Sequence, residues 1–172
     1  PKVTIFYSIV NIGASVTNID ILEGNTTGFT RDILLGGNKY TETIQKQLKI
    51  DYDDAEKMKL GLNVSEENKD KIVSIILEVT DTLASEIQKS IEFYSTAANR
   101  NVDKIFLSGG SARISGINHL LSEKLGVSIE TLDPLKRASI NKKIFDPEYI
   151  DHISPLIAAA TGLAFRKFDD NA

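Results

Sequence analysis

The sequence predicts an α/β fold with a mixed five-stranded sheet, an antiparallel meander followed by a βαβ unit, and a small helical excursion between the two. Three observations predict it. Three β-rich runs come first, separated only by turn residues; a long one-sided helical pattern follows; then a strand, a Gly-Gly turn, a helix and a strand succeed one another. Strands joined by short turns lie antiparallel, whereas two strands joined through a helix lie parallel.

Val3 to Val10, Val16 to Leu22 and Thr27 to Leu35 are rich in β-branched and aromatic residues, with Gly13 and Glu23-Gly24-Asn25 as punctuation. Gly36-Gly37 ends the meander. From Tyr40 to Leu48 the apolar Ile44 and Leu48 fall four apart, as on a helix face, and a short helix from Tyr52 to Leu60 stops at Gly61. Ser65 is an N-cap candidate with Glu66 and Glu67 in the first turn. Ile72, Ile76, Val79, Leu83, Ile87, Ile91 and Tyr94 then keep one helical face to about Asn99. Strict heptads are not clear, so a packed globular helix is expected ahead of a coiled coil; two helices with a bend also fit, although no Gly or Pro marks a break.

The second part of the sheet is read as a strand from Lys104 to Ser108, the turn Gly109-Gly110, a helix from Ile114 to Leu125 and a strand from Val127 to Leu132. Asp133 to Ile153, with Pro134 and Pro147, reads as a long surface connection. Ser154 as N-cap and Pro155 at the first position open a last helix, in which Ala158, Ala159, Ala160 and Gly162 permit close backbone packing.

Composition narrows the function classes. With 172 residues, 41% hydrophobic, the chain fits one domain, or one domain with a small insertion, and can bury a real core. A net charge of -4, with no basic run longer than Lys142-Lys143, argues against nucleic acid as a partner. The absence of cysteine excludes disulfides, zinc thiolates and thiol catalysis. The apolar stretch Pro155 to Phe165 is too short to span a bilayer, so no transmembrane segment is expected. Pro1 stands within a strand-like pattern without Met or signal peptide, which reads as a fragment of a longer protein.

Two glycine turns carry the chemistry. In Asn11-Ile12-Gly13-Ala14-Ser15-Val16-Thr17 a hairpin could aim backbone N–H groups and the Ser15 and Thr17 hydroxyls at a phosphate, or be a plain hairpin with glycine at positive φ. Gly109-Gly110-Ser111 could admit a sugar or phosphate close to the backbone, or be a tight turn. It matches neither the P-loop nor the dinucleotide fingerprint. His119 and His152 lack a partner acid at triad or ligand spacing and read as surface or capping histidines. The pairs Asp53-Asp54, Glu66-Glu67 and Asp169-Asp170 lie at helix starts or the terminus, where carboxylates serve the helix dipole or solubility.

Taken together, "VNIGASVTNIDI" resembles the second phosphate motif of the actin-like ATPase superfamily, a ribonuclease H-like fold, and "IFLSGGSARISGI" resembles its adenosine motif. Within it, "FTRDILLGGNKYTETIQKQL", "DDAEKMKLG" and "SPLIAAATGLAFR" are similar to the PilM family of type IV pilus assembly proteins, relatives of FtsA, over Tyr7 to Lys167. The resemblance implies ATP or ADP as ligand, with magnesium possible. Gly13, Ala14, Ser15 and Thr17 would face the β and γ phosphates; Gly109, Gly110 and Ser111 would pass beneath ribose and α phosphate, with Ile114 near the base. Gly36 and Gly37 belong to the same site, and Glu56 and Lys59 match an "AExxK" segment that reaches toward ribose and adenine.

One departure is Asn11, which stands where the superfamily motif opens with a magnesium-organising aspartate, so the expectation is a nucleotide binder with weak or no ATPase activity. The resemblance further implies a second lobe: residues 1–35 and 75–172 as subdomain 2A with a hinge-side last helix, and 36–74 as a small helical subdomain 2B. It implies a cytoplasmic scaffold peripheral to the inner membrane that docks the cytoplasmic tail of a PilN-like membrane protein, beside other assembly proteins including the motor. An FtsA-like filament former and an ATPase cycling by hydrolysis are the alternatives.

Overall fold

The computed structural model describes residues 6–24, 26–136, 138–141 and 143–165. Val3 in the first expected strand, Asn25, Lys142, Lys167 and Asp169-Asp170 lie outside the described residues. Five strands form one sheet, β1 (Phe6–Ile12), β2 (Thr17–Glu23), β3 (Thr26–Ile33), β4 (Lys104–Ser108) and β5 (Ser128–Thr131), in the order β3-β2-β1-β4-β5. β1 pairs antiparallel with β2 and β2 with β3, whereas β1-β4 and β4-β5 are parallel, so the mixed sheet read from the sequence is the one observed.

Alternation explains which face packs. Ser8, Val10 and Ile12 on β1 stand opposite Ile21, Ile19 and Thr17 on β2, and all six are fully buried. Their neighbours Tyr7, Ile9, Asn11, Asn18 and Asp20 point to the other face and are half-buried. The helix α3 (Glu66–Ala98), a single unbroken run of 33 residues, buries Ile72, Ile75, Ile76, Val79, Leu83 and Ile87 in the same core. Ser65 is its N-cap residue by backbone position, but the hydroxyl makes no capping bond. Asn99 ends it in the left-handed conformation.

The excursion between β3 and α3 holds α1 (Gly37–Leu48) and α2 (Tyr52–Lys59). α1 starts three residues before the Tyr40 expected, because Gly36 already stands as an extended N-cap. Asp51, whose side chain accepts from the Asp54 amide, caps α2, and Gly61 follows at φ +78°. Tyr40 of α1 is fully buried and hydrogen-bonds Thr80 of α3 at 3.1 Å, with burial pushing its phenol up to about 12.

After β4 the sequence reading needs three corrections. Gly110–Arg113 is a 3-10 turn and Ile114 is extended, so α4 (Ile117–Leu125) begins only after Gly116, at φ +76°, rather than at Ile114. The stretch read as a surface connection contains α5 (Pro147–Ile153), capped by Asp146 accepting from the Glu148 amide. Ser154–Leu156 is then a 3-10 turn before α6 (Ala158–Ala164), so Ser154-Pro155 opens the turn and not the helix itself. Among the described residues no helix is long and apolar enough to cross a membrane.

Candidate functional site

β1 and β4 are adjacent and parallel, so the turns leaving their carboxyl ends are neighbours, the place where open α/β sheets hold ligands. Contact is close: a Cβ on Gly109 would lie 2.5 Å from the Ile12 carbonyl oxygen, and Gly109 stands at φ +88°. The third glycine turn joins them through the backbone. Gly37 N–H donates to the Gly13 carbonyl and Asn38 N–H to the Ala14 carbonyl, each at 2.8 Å. A side chain on Gly36 would strike both carbonyls at 2.6 Å. Gly13 itself is not at positive φ; its need is for space, since a Cβ would sit 2.9 Å from Val16 O.

α2 supplies the facing wall. Glu56 and Lys59 are one turn apart, and the Lys59 ammonium, only 7% exposed, donates to Glu56 Oε1 at 2.5 Å and to Thr41 Oγ1 at 3.2 Å. Thr41 Oγ1 also bonds Glu56 Oε1. Burial alone pushes the Glu56 carboxyl up, but the Lys59 and Thr41 hydrogen bonds and the Lys59 charge outweigh it and hold the group below its ordinary value.

Between these parts lies a cleft of about 160 Å³ lined by Gly13, Ala14, Gly37, Asn38, Tyr52, Glu56, Lys59, Leu60, Gly110, Ser111 and Arg113. Seven sequence-predicted residues therefore meet there: Gly13, Ala14, Gly37, Glu56, Lys59, Gly110 and Ser111. Ile114 lines instead a neighbouring apolar cavity of about 500 Å³, with Met58, Val64, Ile72 and Ile76, and Lys59 lines both. Thr17 is fully buried and donates to the Leu35 carbonyl at 2.7 Å. Ser15 is exposed and accepts from the Asn38 amide at 3.2 Å, while Gly36 and Gly109 build the turns from behind.

Asn11 is occupied elsewhere. It lies in one cross-strand row with Ser108, Asn18 and Asp32, and the side chains bond in series: Ser108 Oγ to Asn11 Oδ1 at 3.3 Å, Asn11 Nδ2 to Asn18 Oδ1 at 3.2 Å, Asn18 Nδ2 to Asp32 Oδ1 at 2.7 Å. Its amide braces the sheet. Sequence reasoning missed Asn38, Tyr52, Leu60 and Arg113. Tyr52 was legible, since it precedes Glu56 by four residues and so shares its helix face. From the other side the 3-10 turn at Ser154 holds the site, Pro155 O accepting from the Gly109 amide at 2.8 Å and Ser154 Oγ bonding Asp133 at 2.7 Å.

A meander, a parallel pair with glycine turns at its end and a helical wall across the cleft define one lobe of the actin-like ATPase fold. The family profile described as Type IV pilus assembly protein PilM matches residues 2–168, and the chain belongs to that family. The solved PilM-PilN type IV pilus biogenesis complex superposes with a TM-score of 0.81 at 28% identity, over 95% of this chain and 46% of that one. The ethanolamine utilization protein EutJ from Carboxydothermus hydrogenoformans gives 0.65 at 20% identity, over 94% and 48% of the two chains. MreB 5 of Spiroplasma citri bound to AMPPNP gives 0.60 at 18%, over 87% and 55%. The chain thus spans about half the length of the solved chains it matches.

Proposed function

We propose that these residues form the nucleotide-binding half of a PilM-like scaffold of type IV pilus assembly. The observation that carries this reading is the convergence of three glycine turns on one cleft faced by Glu56 and Lys59. ATP or ADP lies with its phosphates along Gly13, Ala14 and Gly110, where small residues let oxygens approach the backbone, although the Gly13 N–H itself donates to the Val16 carbonyl. Ribose rests between Ser111 and Glu56. The base enters the apolar cavity beside Ile114, whose volume of about 500 Å³ lies within the ordinary range of ligand pockets.

The residues present do not fit a dedicated magnesium centre. Both polar ends of the Asn11 side chain are engaged within the sheet, and Glu56, the one carboxylate on the cleft wall, is tied to Lys59 and Thr41. Hydrolysis accordingly has no assigned residue in this half, and the protein serves as a nucleotide-responsive platform. Its partner is a PilN-like inner-membrane protein engaged through a cytoplasmic tail, together with other assembly proteins including the motor, at the cytoplasmic side of that membrane. Residues 36–74 act as the small subdomain and the remainder as the larger one, with α3 running unbroken through the boundary.

Calorimetric titration of magnesium-ATP into the full chain, beside Gly110→Val, tests the reading. A Cβ at Gly110 meets only Leu156 Cδ2 at 3.6 Å, in ordinary contact, and circular dichroism of the variant checks that the larger side chain leaves the fold intact. Saturable binding lost in Gly110→Val is the expected result; equal binding by both moves the nucleotide elsewhere, and no binding by either removes it.

A further inference from the structure

Between β5 and α6 the chain makes an excursion closed at its neck, where Ser154 Oγ donates to Asp133 Oδ1 at 2.7 Å across 21 residues of sequence. Within it, residues 141–145 form a tight turn. The Ile144 and Phe145 amides both donate to the Asn141 carbonyl at 3.0 Å, and the Lys143 amide donates to Asn141 Oδ1 at 3.0 Å. One asparagine thus ties three successive amides, and Lys143, Ile144 and Phe145 are all left exposed. Ile144 is 72% exposed, whereas Phe145 lines a groove of about 270 Å³ with Ile140, Pro147 and Ile150, which roots the turn on α5.

Charge is segregated around this turn. Residues 134–145 carry four basic side chains, Lys136, Arg137, Lys142 and Lys143, and no acidic one, so the rest of the chain has 16 basic against 24 acidic. The acids at either end are turned to the chain's own donors: Asp133 accepts from Ser154 and the Leu135 amide, and Asp146 caps α5. Glu148 and Asp151 on α5 stay exposed. Among the described residues Lys143 forms no ion pair. An acidic peptide would use the cations and leave the aliphatic tip in water; an apolar groove would use the tip and strand the cations. An anionic bilayer takes both at one point, with headgroups outside and acyl chains beneath.

Going beyond the nucleotide reading, we propose that the turn at 141–145 is a membrane contact, Lys143 lying against anionic headgroups and Ile144 entering the acyl boundary. The acidic remainder of the chain is repelled by the same surface, so the contact is confined to the turn and orients the molecule. One aliphatic side chain and a few cations make a reversible, salt-sensitive contact and not an anchor.

The test is co-sedimentation of the full chain with vesicles of phosphatidylcholine alone and of equal parts phosphatidylcholine and phosphatidylglycerol. The wild type should bind the anionic vesicles and not the zwitterionic ones, less as salt is raised. Lys143→Glu and Ile144→Ser should each weaken that binding at least about fivefold, with thermal midpoint and magnesium-ATP titration unchanged. Lys46→Glu, the same charge change at an exposed position of α1, should leave it as it was. No binding to anionic vesicles overturns the proposal and gives the turn to a protein occupant. Equal binding to both compositions overturns it too, as does an equal loss in Lys46→Glu and Lys143→Glu, which would make net charge the cause. None of these results touches the nucleotide reading, which the titration tests separately.

Discussion

Gly109 and Gly110 are neighbours of identical composition with different duties. At Gly109, φ +88° and a carbonyl 2.5 Å from any added Cβ make glycine a requirement of the fold itself. Gly109→Ala should cost about 1–3 kcal/mol for the backbone conformation alone, with the clash in addition, read as a lowered urea midpoint. Gly110→Ala should change stability by no more than about 0.5 kcal/mol, since its Cβ points into ordinary contact with Leu156. The sequence shows two glycines and cannot separate these duties, because the difference lies in what β1 brings alongside. The Glu56-Lys59 pair yields a pH prediction. A carboxyl held below its ordinary value stabilises the fold above that value, and the contribution disappears as pH falls through the lower folded-state value. Stability should therefore fall on acidification below about pH 4.5, the ordinary glutamate value, with a shallower acid limb in Glu56→Gln followed by circular dichroism.

At the scale of elements, legibility followed burial. α3 was read nearly to its last residue because its apolar positions repeat over many turns and nearly all of them are buried. Leu83, fully buried at its centre, should cost about 2–5 kcal/mol on truncation to alanine, measured by chemical denaturation. α5 escaped because none of its residues is buried, so it carries no apolar period; only the Asp146-Pro147 start signal marked it. α4 was placed three residues early because Ile114 continues the apolar spacing of the helix while Gly116, in the left-handed conformation, still separates it from Ile117.

For the whole molecule, sheet order decides what the turns can do together. Each glycine turn taken singly is compatible with a bare connection, and only the parallel β1-β4 pairing sets Gly13 beside Gly109 while α1 returns Gly37 to the same point. That long-range pairing has no local signature, so the site was legible as motifs and illegible as a cavity; Asn38 and Arg113 entered it only through the fold. Hydrogen exchange on the full chain should show the consequence. Saturating ATP is expected to slow exchange simultaneously in 13–16, 52–60 and 109–114, and protection confined to one of these segments would contradict a shared cleft. α3 extends the reach of that cleft. Its early turns line the apolar cavity through Ile72 and Ile76, while Tyr94, roughly 33 Å further along at 1.5 Å per residue, ties its phenol to Glu23 Oε1 at 2.8 Å. The helix is buried in one core along that whole length, so the Tyr94-Glu23 bond anchors, at the end of β2, the same rigid element whose first turns wall the cavity.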